Sequence, residues 1–160
     1  MRRLVLILLV CLLALPAVAL AAARAAGDGT LVVKNASVTK IQVDGRGTIF
    51  GHFDAGTLTV VDYNPFDAKE PQINGCERVQ QKGETTTICK GSDVRFFFGG
   101  GKYRILVTGA GISFSAVGRG TATLTGAGSP DDGTFAVNGG RPQPLPSLVP
   151  VSTTFGAVIP

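Results

Sequence analysis

From residue 27 to the C terminus, no window of the chain repeats apolar residues every 3.6 positions. Short alternating runs rich in Val, Ile, Phe and Thr are cut instead by glycines. A period of two places successive side chains on opposite faces of an extended strand, so this pattern directs the chain toward β structure with one buried face. All 22 glycines lie in this stretch, with no collagen-like triplet period. Strands are predicted at Thr30–Lys34, Val38–Val43, Gly47–Phe53, Thr57–Tyr63, Val94–Phe98, Lys102–Thr108, Ile112–Val117, Thr121–Thr125 and Thr134–Val137. The fold class expected is all-β, a single antiparallel β-sandwich or barrel of about nine short strands over residues 27–141. A β-helix is the alternative. The phrase Gly-Thr-apolar opens several runs, at Gly29, Gly47, Gly56, Gly120 and Gly133, but at no fixed period that would support a solenoid.

Two stretches carry most of this reading. Val94, Phe96 and Phe98 alternate with Arg95 and Phe97, and Gly99-Gly100-Gly101 then permits a tight reversal into Tyr103, Ile105 and Val107. Further on, Ile112, Phe114, Ala116, Ala122 and Leu124 alternate with serines and threonines, so one face is apolar and the other is lined with hydroxyls. The segment 142–160 is proline-rich and cannot form a central strand, although Leu148, Val151 and Phe155 offer an edge that docks.

Residues 1–26 form a separate region. Met1-Arg2-Arg3 is followed by the apolar run Leu4–Leu15, Pro16 and an alanine-rich end, the layout of a secretory signal peptide. A-x-A cleavage sites end at Ala19, Ala21, Ala23 and Ala25. An uncleaved anchor is the rival, because Leu4–Ala23 is long enough to span a bilayer. Cys11 lies inside the apolar run, not at its end, which argues against lipidation. The whole chain has 15 basic and 11 acidic side chains, and Arg2, Arg3 and Arg24 belong to the leader, so the remainder has a net charge of only about +1. That balance argues against nucleic acid as a partner.

Export places Cys76 and Cys89 in a compartment that permits disulfides, and only one pairing is open to them. Closing so short a loop stabilises the chain by about 3 kcal/mol in the entropy model. The surrounding segment Tyr63–Asp93 is charged and shows little apolar periodicity. It reads as long loops around a short hairpin with one strand at Thr85–Ile88. Long loops in a small domain often carry function, so the candidate binding loop comprises Tyr63, Glu77, Arg78, Lys82 and Glu84.

Catalytic groups are sparse. His52 is the only histidine, and on a strand it shares a face with Asp54; a serine at Ser113 or Ser115 would complete a triad, but no G-x-S-x-G context surrounds it. Asp131-Asp132-Gly133 lacks calcium-loop alternation and reads as a turn after Pro130. Gly99-Gly100-Gly101-Lys102 lacks phosphate-loop spacing. The chain has no Trp and only two tyrosines, few platforms for a sugar.

With the leader, the Gly-Thr openings and the stretch Tyr103–Gly120 in view, the chain resembles small secreted bacterial β-rich proteins of unknown function. The resemblance implies export and a β-rich fold and brings no functional residue with it. The expectation is an exported, non-enzymatic β-domain without cofactor or metal, acting as a binding or structural module in the cell envelope or outside the cell. Its partner is expected to be an envelope protein or a polysaccharide. The alternatives are a secreted hydrolase using His52 and Asp54, and an envelope protein anchored by its leader, the one part of the chain expected to meet a membrane.

Overall fold

Glycines expected at turns lie inside strands, and the strands are correspondingly long. The computed structural model describes residues 25–157; apart from Ala25 and Ala26, the leader lies outside the described residues. The strands are β1 (Gly29–Ala36), β2 (Thr39–Asp62), β3 (Gln72–Lys82), β4 (Thr86–Ala110), β5 (Ile112–Thr125), β6 (Thr134–Val137), β7 (Gln143–Pro144) and β8 (Val151–Phe155). They form one antiparallel sheet in the order β3-β4-β2-β5-β1-β6-β7, with β8 also paired to β5. The all-β antiparallel expectation is borne out, and the antiparallel ladders exclude the β-helix. The nine short strands expected are consolidated: three of the predicted runs fall in β2, and two each in β4 and β5.

The organising element is the ribbon formed by β2 and β4. Thr39–Gly47 pairs with Gly109–Gly101, and Thr48–Val61 continues along Gly99–Thr86. Val94–Phe98 and Lys102–Thr108 therefore do not form the predicted hairpin with each other. Both lie on one strand opposite β2, and Gly100, with φ 76°, is the extra residue of a bulge where the register shifts. Right-handed twist accumulates along so long a ribbon. It coils until Ala55–Asp62 also pairs with Ala110–Tyr103, so that the two ends of the ribbon meet. The sheet as a whole stays open, with β3 and β7 at the two ends of its order.

Sharp bending requires strands to approach more closely than side chains allow. Gly47 and Gly118 face each other on β2 and β5 with φ of 138° and 149°. A Cβ on Gly47 would stand 2.1 Å from the Val117 carbonyl oxygen. Gly56 faces Gly109 where the ribbon ends meet, and a Cβ there would lie 2.3 Å from the Thr108 carbonyl oxygen. Glycine at these positions permits a corner within a strand.

The concave side holds the core. Leu31 and Val33 from β1, Ile41 and Val43 from β2, Ile105 and Val107 from β4, and Phe114 and Leu124 from β5 are buried. Phe98 links Phe96 and Tyr103, at centroid separations of 5.5 and 5.4 Å. The apolar face predicted on β5 is buried, and its hydroxyls face outward. The proline-rich end docks as an edge through β8, burying Phe155, while Leu145 closes the core from the preceding segment and Leu148 is exposed.

A Gly47→Val substitution should therefore lower the unfolding free energy by about 3 kcal/mol or more, because it adds both backbone strain and a clash with a carbonyl. Urea unfolding measures this, and a loss below about 1 kcal/mol would show that the corner tolerates a side chain.

Candidate functional site

Within the charged segment the hairpin is longer than the short one expected, with strand from residue 72 onward and Thr86–Ile88 inside β4, while residues 63–71 form a connection without strand. β3 turns through Gly83, Glu84 and Thr85 into β4, and Cys76 is bonded to Cys89 with a Cα separation of 5.4 Å. β3 shows no apolar alternation because it is an edge strand with little covering it; only Ile73 and Cys76 pack against the core. Glu77, Arg78 and Lys82 are exposed on this strand, and Glu84 sits at the turn. Glu77 accepts a hydrogen bond from the Ser92 hydroxyl at 2.7 Å. Register irregularities flank Cys76 on both sides, so the ladder is broken where the edge would otherwise offer an unbroken template for another strand.

A cleft of about 290 Å³ lies beside this hairpin. Val60, Pro71, Ile73 and Val79 give it apolar walls, and Asp62, Glu70 and Glu84 supply carboxylates, with no lysine or arginine among its lining residues. The segment between β2 and β3 forms part of this wall. It is fixed by Tyr103, whose hydroxyl donates to the Lys69 carbonyl. Burial, reinforced by the carboxylates of Asp62 and Asp67, pushes the Tyr103 phenol up to about 12.

Tyr63 is not part of the cleft. Its hydroxyl donates to the Asp44 carboxylate at 3.0 Å, and the Lys102 Nζ stands 4.7 Å from its ring centroid. Arg104 donates to the same Asp44 oxygen at 2.8 Å. Desolvation, and then the bond to Asp44, raise the Tyr63 phenol above its ordinary value. The five residues of the candidate loop thus divide between two places: four lie on the hairpin, and Tyr63 lies on the outer face of the sheet.

His52 has Ser113 opposite it on β5 and Arg95 opposite it on β4. The Ser113 hydroxyl accepts a hydrogen bond from the Asn35 amide at 2.9 Å, and Asp54 stands against Gly111. Among the described residues, no hydrogen bond joins His52 to Ser113 or Asp54. Asp131 and Asp132 form the expected turn, a short 3-10 helix (Pro130–Asp132) capped by Ser129, whose hydroxyl accepts from the Asp131 amide. Among the described residues no group of three His, Cys, Asp or Glu side chains is placed to hold a metal.

A second cluster escaped the sequence reading. Gly45-Arg46-Gly47 lies antiparallel to Gly118-Arg119-Gly120, residue against residue, and Lys102 faces Arg46 from the other side. Arg46, Lys102 and Arg119 thus stand in one row across three strands. The signal in the sequence was the repeated Gly-Arg-Gly triplet, but its arginines are 73 positions apart, and only the register brings them together.

The raised value of Tyr103 has a direct consequence. The neutral phenol is favoured in the folded chain, so its contribution to stability is complete below pH 10 and lost as the pH rises from 10 toward about 12. Urea unfolding at stepped alkaline pH should show this loss in the native chain and a shallower one in Tyr103→Phe. Equal slopes would remove Tyr103 as the cause. No protein-family model, characterised protein or solved structure matches this chain.

Proposed function

We propose that this protein is an exported, non-enzymatic β-domain that works in the cell envelope or outside the cell as a binding module, docking a polypeptide partner on the disulfide-closed hairpin. The order of positive, apolar and small residues in the first 26 positions supports export, and the Cys76–Cys89 bond fits an oxidising compartment. Among the described residues, no helix is long and apolar enough to cross a membrane.

The observation that carries the docking surface is the acid-lined cleft beside an exposed strand that the disulfide holds to its neighbour. Apolar walls with carboxylates around them suit a long cationic side chain, whose methylenes pack while its charge meets Asp62, Glu70 or Glu84. The broken ladder at Cys76 disfavours simple strand addition, so recognition runs through side chains, with Glu77, Arg78 and Lys82 beside the cleft selecting the partner by charge.

Two measurements test this reading. Fractionation of the native host, followed by intact mass under non-reducing conditions, should recover a chain shortened at one of the alanine sites and two hydrogens lighter than its reduced form. A full-length chain held in the membrane would replace the exported module with an anchored one. For the surface, Glu77, Arg78, Lys82 and Glu84 changed together to alanine should cut crosslinked partner recovery from envelope extracts at least tenfold. Recovery equal to that of the native chain would reject the hairpin as the docking site.

A further inference from the structure

Arg46 is flanked on neighbouring strands by Arg119 and Lys102, each directly opposite it. Paired residues on adjacent strands sit about 5 Å apart at the backbone, and like charges placed so are unfavourable. Neighbouring acids neutralise part of this charge. Arg119 is bonded to Asp28 at 3.1 Å, and Arg104 to Asp44 at 2.8 Å. Among the described residues, Arg46 and Lys102 have no acidic partner. Four cations and two carboxylates therefore leave an excess of two positive charges on one face, although residues 27–160 together have a net charge of only about +1.

Two shallow hollows flank the Arg46–Arg119 pair, lined in part by Gly45, Gly47, Gly118 and Gly120. One, of about 300 Å³, includes Asp28, Gly47 and Gly118, and the other, of about 350 Å³, includes Lys102, Gly45 and Gly120. Arginine forks match the oxygens of carboxylate and phosphate groups, and Arg46 and Arg119 line both hollows, Arg119 being held there by Asp28 and the Ala26 carbonyl. Four residues beyond Arg46 on β2, past the corner at Gly47, Phe50 pairs with Phe97. These two rings are 46% and 43% exposed, an apolar platform on the same two strands as Arg46 and Lys102.

We propose that the paired Gly-Arg-Gly triplets form a binding site for the acidic groups of a polysaccharide, with Arg46, Lys102 and Arg119 holding a carboxylate or phosphate and the Phe50–Phe97 pair supporting a neighbouring sugar ring. A sparsely charged glycan suits this face better than a nucleic acid. Asp28 and Asp44 stand among the cations and would repel a polymer carrying a phosphate on every unit. The site is separate from the hairpin and does not depend on docking there.

The test is affinity electrophoresis of the mature chain in gels containing polygalacturonate, a phosphomannan or neutral dextran. Retardation by polygalacturonate assigns carboxylates and retardation by phosphomannan assigns phosphates; either supports the site. Arg46→Gln with Lys102→Gln should weaken that retardation at least tenfold while the unfolding midpoint holds or rises. Lys40→Gln with Lys90→Gln, which removes the same charge elsewhere, should change it less than twofold, and the hairpin alanine variant should bind as the native chain does. Equal losses in the two glutamine pairs, no retardation by either acidic polymer, equal retardation by dextran, or tighter binding to single-stranded DNA would each overturn the proposal.

Discussion

A ribbon of two long strands can close on itself only where its backbones touch without side chains between them. In this protein that requirement falls on a few facing glycines. Gly56 and Gly109 let the ends of the β2–β4 ribbon pair, and Gly47 and Gly118 let β5 follow β2 around its bend. The buried face, the position of the edge hairpin and the juxtaposition of distant arginines all follow from these corners. Their conformational freedom carries an entropic penalty in the unfolded chain, and core packing around Phe98, Tyr103 and Ile105 offsets it.

Two different restraints hold the outlying hairpin. The disulfide ties β3 to β4 within the ladder, and the Tyr103 hydroxyl fixes the connecting segment through the Lys69 carbonyl. Together they give the cleft walls that do not depend on a second sheet layer. The outer face needs no such restraint, because its cations stand on strands paired at both edges. The protein therefore presents two surfaces of opposite electrical character, an acidic cleft at one edge and a cationic row across the middle of the sheet.

Much of this fold was legible in the residues. Alternation at Ile112, Phe114 and Ala116 predicted which side of β5 is buried, and Cys76 and Cys89, the only two cysteines beyond the leader, predicted their own bond. Glycine was harder to interpret. It marks a turn or a crossing of backbones with the same letter, and only the partner strand distinguishes them. Gly99–Gly101 was therefore expected to reverse the chain, whereas it bulges a continuing strand. β3 escaped for the opposite reason. Periodicity records burial of one face, and a strand that packs only Ile73 and Cys76 inward leaves too short a record to read. The arginine row was invisible because cross-strand register is a property of pairs of segments, and averaging the charge over the chain cancelled it.

The position of β1 bears on how the chain can mature. It begins at Gly29, close behind the predicted leader, yet it lies inside the sheet, bonded to β5 on one edge and β6 on the other. Its partners extend from residue 112 to residue 137, so the first strand to emerge has nothing to pair with until most of the polypeptide has followed it. Contacts of such long sequence separation form slowly. If the chain is exported as proposed, β1 finds its partner strands only after the last third of the chain has crossed, so this topology keeps folding from competing with transport.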